Sequence, residues 1–261
     1  MNNIDFIQIN KFSELHNNNT VFFCKTDFIL EEFDSIRKCD KDIVLITGNS
    51  DYGITDKIIE AAPKNIKKWF AQNALSNNEI IEPLPIGLEN KIESSRSGHG
   101  IGYKERMTIK EKLLSSNPNI VPSKQIYANF NISTNLSYRS MIKKICIQCP
   151  HIDWQDSNLT LEDLFQTISH YRMMVCPIGN GVDTHRLWEA LYYNIIPITI
   201  KVNNYKIYKL YEQLPIIILN NIVDLLDSSL INTKYQEAIH KNYEKNLLTY
   251  EYWKTKILSY V

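Results

Sequence analysis

The sequence predicts an α/β protein of two Rossmann-like domains facing each other across a cleft. Three observations carry this expectation. Short apolar strands alternate with amphipathic helices along most of the chain, the pattern of parallel α/β architecture. The alternation pauses at a polar, proline-containing stretch, "NIVPSKQ" at 119 to 125, and then restarts. The chain has 261 residues and is 44% hydrophobic, enough for two cores of ordinary size. The expected divisions are residues 1–122, 123–240 and a closing segment, 241–261.

In the first half, "TVFFCKTDFI" and "DIVLITGNSD" read as strands that end in polar loops. "TDKIIEAA" is a helix stopped by Pro63, and "IKKWFAQN" is another strand. The prolines and glycine of "IEPLPIGLEN" disfavour regular pairing there. From Glu93 to Gly102 lies a glycine-rich loop that either closes over a ligand or is a plain surface connection. A helix follows, "YKERMTIKEKLLSS", ended at the Asn117–Pro118 turn.

The second half reads as strand "IYANFN", helix "LSYRSMIKKIC", helix "TLEDLFQTISHY", strand "RMMVCPI", a glycine loop with a short helix, and strand "IIPITI". Helix "NYKIYKLYEQL" and strand "PIIIL" continue the pattern. The tyrosine-rich tail reads as one long helical stretch.

Composition narrows the function classes. Lysine plus arginine equal aspartate plus glutamate, 29 against 29, which argues against a nucleic-acid partner. The start, "MNNIDFIQIN", has no secretory pattern, and no apolar run approaches the roughly 20 residues of a membrane span. A cytoplasmic protein is expected, with room for a peripheral membrane contact. Five scattered cysteines fit a reducing compartment. Cys146 and Cys149 form a CxxC, but nothing completes a zinc site, so both are expected to be structural.

The densest chemistry lies in "GNGVDTHRLWEALYYNIIPI", residues 179 to 198. Gly179 and Gly181 allow a tight turn and close approach of a ligand to the backbone. Asp183 or Thr184 can cap the helix that follows, whose start offers amides and partial positive charge to an anion. Arg186 adds a forked cation suited to phosphate. Glu189, one turn on, can accept from two sugar hydroxyls. The plain alternative is a capped helix with a solvated Arg186–Glu189 pair.

This segment resembles the donor-binding motif of GT-B glycosyltransferases, especially exostosin-like ones, where an R-L-[WF]-[ED]-A-[LI] helix precedes an I-P-[IV] strand. It also resembles the alpha-1,3-fucosyltransferase motif T-E-K-L-W, with His185 in place of the glutamate and Arg186 in place of the lysine. "IYANFNISTNLSYRSMIKKI" is similar to the first strand and helix of the donor domain in these enzymes. "WFAQN" with "PLPIGLEN" resembles, more loosely, the amino-terminal half of bacterial exostosin-like proteins. The resemblance implies a GT-B fold, an amino-terminal acceptor domain and a carboxy-terminal nucleotide-sugar domain. It implies that Arg139 contacts the donor diphosphate, unless Arg139 is an exposed helical arginine. It further implies inverting transfer without a bound metal or other cofactor.

Inversion needs a base on the acceptor side. Asp51 in "TGNSDYG" is the first candidate and Glu89 in "IGLEN" the second, with His99 weaker. Either carboxylate could instead cap a local turn. Trp69 or Tyr52 could stack on an acceptor sugar, whereas Met173 and Met174 read as core. The expected partners are a nucleotide sugar and a glycan or lipid-linked acceptor. The aromatic carboxy-terminal segment docks on the amino-terminal domain, mediates a homodimer or touches a membrane surface. A noncatalytic binding protein of the same fold, or a GT-B-type epimerase, are the competing readings.

Overall fold

The computed structural model describes residues 5–92, 101–116, 120–156 and 159–261. His99 and all but the last two residues of the glycine-rich loop lie outside them.

The first unit comprises β1 (Val21–Lys25), α1 (Ile29–Arg37), β2 (Ile43–Gly48), α2 (Asp56–Glu60), β3 (Ile66–Ala71) and β4 (Ile81–Pro83). Its four strands are parallel and ordered β1-β2-β3-β4, with Val21 opposite Val44 and Trp69 opposite Ile81. A small parallel ladder, β5 (Asn90–Ile92) and β6 (Ile101–Tyr103), leads into α3 (Lys104–Ser116).

The second unit comprises β7 (Lys124–Ala128), α4 (Leu136–Gln148), β8 (Ile152–Trp154), α5 (Leu161–Ile168), β9 (Tyr171–Val175), α6 (His185–Tyr192), β10 (Ile196–Ile200), α7 (Ile207–Tyr211) and β11 (Ile217–Leu219). Two further helices, α8 (Ser228–Ile239) and α9 (Tyr250–Leu258), close the chain. The five-stranded parallel sheet is ordered β11-β10-β9-β7-β8. From β7 the chain goes first to β8 on one side and then to β9, β10 and β11 on the other. The order therefore reverses between β7 and β9. In open parallel sheets such a switch point opens a crevice at the carboxyl ends of the two strands.

The carboxyl ends of the two sheets face each other. Asn180, in the loop after β9, donates from Nδ2 to Asp51 Oδ2, in the loop after β2, at 3.1 Å. Asp183 N donates to Asn73 Oδ1, just beyond β3, at 2.9 Å. Behind these contacts one apolar cluster runs through both units, from Phe12, Val44 and Phe70 to Met174, Trp188 and Trp253. This is the α/β arrangement of two parallel-sheet units facing each other that the sequence predicts.

Several elements differ from the expectation. α1 was not anticipated, although Ile29, Phe33 and Ile36 bury one helical stripe. β8 was not anticipated either. It is a three-residue edge strand whose central Asp153 is exposed, too short to show a period. β4 pairs with β3 despite Pro83, because an edge strand can leave one side of its backbone unpaired. β7 starts at Lys124, inside the expected linker. The tail is not one helix: residues between α8 and α9 break it, including a 3-10 turn at Lys245–Leu248.

Candidate functional site

The crevice between β7 and β9 is bounded by the loop 129–131, the start of α4, the glycine loop and the first turn of α6. Arg186 stands in that first turn. Its Nε pairs with Glu189 Oε2 at 3.0 Å, while its Nη1 is buried with no partner. A buried donor left unmade costs about 1–3 kcal/mol, so this atom favours an incoming acceptor. The amino terminus of α6 is also uncapped. Thr184 occupies the cap position in an extended conformation, but its side chain makes no capping bond. The expectation that Thr184 or Asp183 caps this helix is therefore corrected, and the first amides keep their dipole field open to the crevice.

Arg139, on α4, is buried, not an exposed helical arginine. Its guanidinium donates to three backbone carbonyls: Nε to Ile178 at 2.8 Å, Nη1 to Asn131 at 2.7 Å and Nη2 to Pro177 at 3.0 Å. It thus ties both crevice loops together, and none of its nitrogens points to a vacant partner. No carboxylate pairs with it among the described residues. Burial, and then the nearby Arg186 charge, bring its pKa down to about 10. Two guanidinium groups near each other, one lacking a counter-ion, make this crevice electropositive. Gly179 fits here because a Cβ would come within 3.1 Å of Arg139 Nη2. Its carbonyl accepts from Asn135 Nδ2 at 3.0 Å.

The remaining motif residues serve the contact between the units. Asp183 is fully engaged: its carboxylate accepts from Trp188 Nε1 at 2.7 Å, Tyr211 Oη at 2.6 Å and Ile86 N at 2.7 Å. Burial raises its pKa against these hydrogen bonds. Its place is in the interior, away from a donor. His185 donates from Nδ1 to the carbonyl of Gly87 at 2.8 Å, which fixes the tautomer in that contact. Gly87 itself has φ +64 and lies against the Ile7 backbone, so only glycine suits it.

Glu189 is buried, and its two oxygens are taken by Arg186 and by Lys110 Nζ, the latter at 2.5 Å. Lys110 also pairs with Glu89. Lys110, which belongs to none of the sequence motifs, therefore links Glu89 to Glu189 and through it to Arg186. Lys110 is 1% exposed. A signal was present: Met107, Lys110 and Leu114 share one helical face, and the two flanking members are fully buried core.

Glu89 does not have the proton affinity of a general base. Burial would raise its pKa, but Lys110 and then His185 outweigh that and hold it at about 2. Asp51, by contrast, is exposed at the carboxyl end of β2 and receives only the Asn180 amide. Tyr52 beside it is 68% exposed, free to stack on a ligand. Trp69 is not: it is fully buried and donates from Nε1 to Thr47 Oγ1 at 2.9 Å. Met173, Met174, Cys146 and Cys149 are all buried.

Among the described residues, no three or more His, Cys, Asp or Glu side chains group so as to hold a metal ion. No described helix is long and apolar enough to cross a membrane.

No family model matches this sequence, and no curated protein does. Among solved structures, a crystal structure of alpha1,3-fucosyltransferase aligns at 10% identity with a TM-score of 0.46, covering 94% of this chain and 78% of that one. A second, of alpha1,3-fucosyltransferase with GDP-fucose, aligns at 10% identity with a TM-score of 0.43, covering 93% and 89%. At this distance the likeness concerns the general course of the chain and assigns no residue a role. Both structures bear the fucosyltransferase name, so the exostosin-like side of the sequence resemblance gains nothing from them.

Proposed function

We propose that the protein is a glycosyltransferase that moves a sugar from a nucleotide-sugar donor to an acceptor bound on the amino-terminal unit. The observation that carries this reading is the partnerless, buried Nη1 of Arg186 at the uncapped start of α6, in a crevice where Arg139 has no counter-ion. A diphosphate would accept from Arg186 Nη1 and bring negative charge to the crevice, and the developing charge of a departing diphosphate would be stabilised there. In this reading the reaction inverts the anomeric centre and needs no bound metal, because Arg186 and the α6 amides supply the positive charge. Arg139 acts by holding the two loops of the crevice in place.

Asp51 is the proposed base, since it is the candidate carboxylate without an ion-pair partner and it faces the glycine loop. Glu189, tied through Lys110 to Glu89, holds Arg186 in register instead of binding sugar hydroxyls directly.

A noncatalytic nucleotide-binding protein is the second reading. It is favoured by the full engagement of Glu189 and Asp183, which leaves the donor sugar few open polar side chains.

Thermal denaturation in the presence of UDP, GDP, CDP and CMP tests the proposal, because a ligand selective for the folded state raises Tm by mass action. One nucleotide is expected to raise Tm in the native protein and to do so far less in Arg186→Ala, each shift being read against the same protein without nucleotide. Equal shifts in both proteins would sink the site assignment. Release of free sugar or transfer product from the matching nucleotide sugar then separates the enzyme from the noncatalytic reading.

A further inference from the structure

A recess away from the β7–β9 crevice opens at the carboxyl ends of β1 and β2. It is an open recess of about 450 Å³ whose polar lining includes Thr26, Asp27, Asp51 and Tyr52. Ile29, Leu30, Ile58 and Leu75 supply apolar lining. Thr26 is 4% exposed, and its hydroxyl has no hydrogen-bond partner. Such an orphaned group is satisfied by a ligand that brings its own donor or acceptor.

The lining contains two carboxylates and no lysine, arginine or histidine. Among the described residues the one cation paired with either is Lys25, whose Nζ lies 3.5 Å from Asp27. Asp27 stays ionised: its slight burial is outweighed by the Ser50 side chain, its own backbone amide and Lys25, which lower its pKa. The aromatic face of Tyr52 and the aliphatic wall suit the apolar face of a pyranose ring.

We infer that this recess is the acceptor subsite and that it takes the end of an uncharged or amino-bearing glycan, rejecting anionic sugars and lipid-diphosphate head groups. The inference rests on the proposed transferase reading for the word acceptor, and on the recess alone for the chemistry of the ligand. Two carboxylates on the lining repel an anion, whereas an ammonium group gains from both. Thr26 then supplies a directional contact to a ring hydroxyl, and Asp51 lies at the edge nearest the glycine loop.

The test uses the full chain without nucleotide, titrated with methyl glucosaminide, methyl glucoside and methyl glucuronide and followed by NMR. The expected order is glucosaminide tighter than glucoside, with no saturable binding of the glucuronide. Asp27→Asn combined with Asp51→Asn should abolish the preference for the amine. Thr26→Val should weaken glucoside binding by roughly two- to tenfold, the worth of one hydrogen bond. Its Tm should hold or rise, because the hydroxyl has no partner to lose. Glucuronide binding as tight as that of the glucosaminide overturns the inference. So does the absence of saturable binding by all three glycosides, or a Thr26→Val variant that loses Tm and keeps its affinity.

The outcomes separate from those of the nucleotide experiment. Glycoside binding without any nucleotide effect keeps the recess and discards the transferase. Nucleotide binding with transfer to an anionic acceptor does the reverse.

Discussion

Lys110 shows most directly how single residues hold the site. It is a lysine with almost no solvent contact, flanked by Glu189 and Glu89, and it belongs to neither the glycine loop nor the switch-point crevice. Removing one partner of a buried ionic cluster is strongly destabilising, because the charges left behind keep their desolvation cost. Lys110→Met is therefore expected to cost about 3–5 kcal/mol, read as a fall in the urea midpoint. The pH dependence identifies the cause. Glu89 has its pKa lowered from the ordinary 4.5 to about 2, so its contribution is fully present above 4.5 and is lost as pH falls toward 2. In Lys110→Met burial prevails over the missing cation, Glu89 gains proton affinity, and mild acidification should restore stability. A variant whose stability falls with pH in parallel with the native protein would show that Lys110 does not hold the Glu89 carboxylate.

At the level of elements, α9 is the clearest case. Tyr250 N donates to Asp5 O at 2.9 Å and Tyr250 Oη to Lys11 O at 3.2 Å, so the helix begins against the start of the chain. Lys256 Nζ meets Glu82 Oε1 on β4 at 2.5 Å, and Tyr260 stacks edge-on against Phe70 on β3 at 5.8 Å. Trp253 and Ile257 are buried between these contacts. Trp253→Ala is expected to cost about 3–5 kcal/mol as a large cavity in the core, and deletion of 247–261 should leave no cooperative thermal transition. A deletion that keeps its Tm and loses only vesicle binding would instead make α9 a surface anchor. The aromatic, apolar character of α9 was legible in the sequence, because Tyr250, Trp253 and Ile257 recur at helical spacing. Its separation from α8 was not, since the break at 240–244 lacks proline and glycine. Periodicity equally revealed the strands buried on both faces, such as β2 and β9, and missed β8, whose three residues hold an exposed aspartate.

On the scale of the whole molecule, the two units meet through polar loops whose partners are far apart in sequence, and this is where the sequence was least legible. The motif from Gly179 to Glu189 was visible as a cluster of polar and charged residues. What the residues touch was not, because Asn73, Gly87, Ile86 and Lys110 come from the other unit. Gly181 illustrates the consequence. In the sequence it suggests a tight turn or a ligand against the backbone. In the fold its missing Cβ leaves room for Asn73, whose Nδ2 would lie 2.7 Å and Oδ1 2.9 Å from that atom. The Asn73 amide cannot swing aside freely: Oδ1 accepts from Asp183 N, and Nδ2 donates to Ser50 O at 3.2 Å. Gly181→Ala should therefore break the bridge between the glycine loop and the loop carrying Asp51, at about 1–3 kcal/mol for an overpacked contact. Asn73 has φ 53, a conformation natural to glycine, so Asn73→Gly removes the obstacle without backbone strain. In that background Gly181→Ala should cost almost nothing, giving a coupling of about 0.5–3 kcal/mol in a double-mutant cycle of urea midpoints. Independent costs in the cycle would mean that Gly181 is required by its own loop and that the two units are not registered through Asn73.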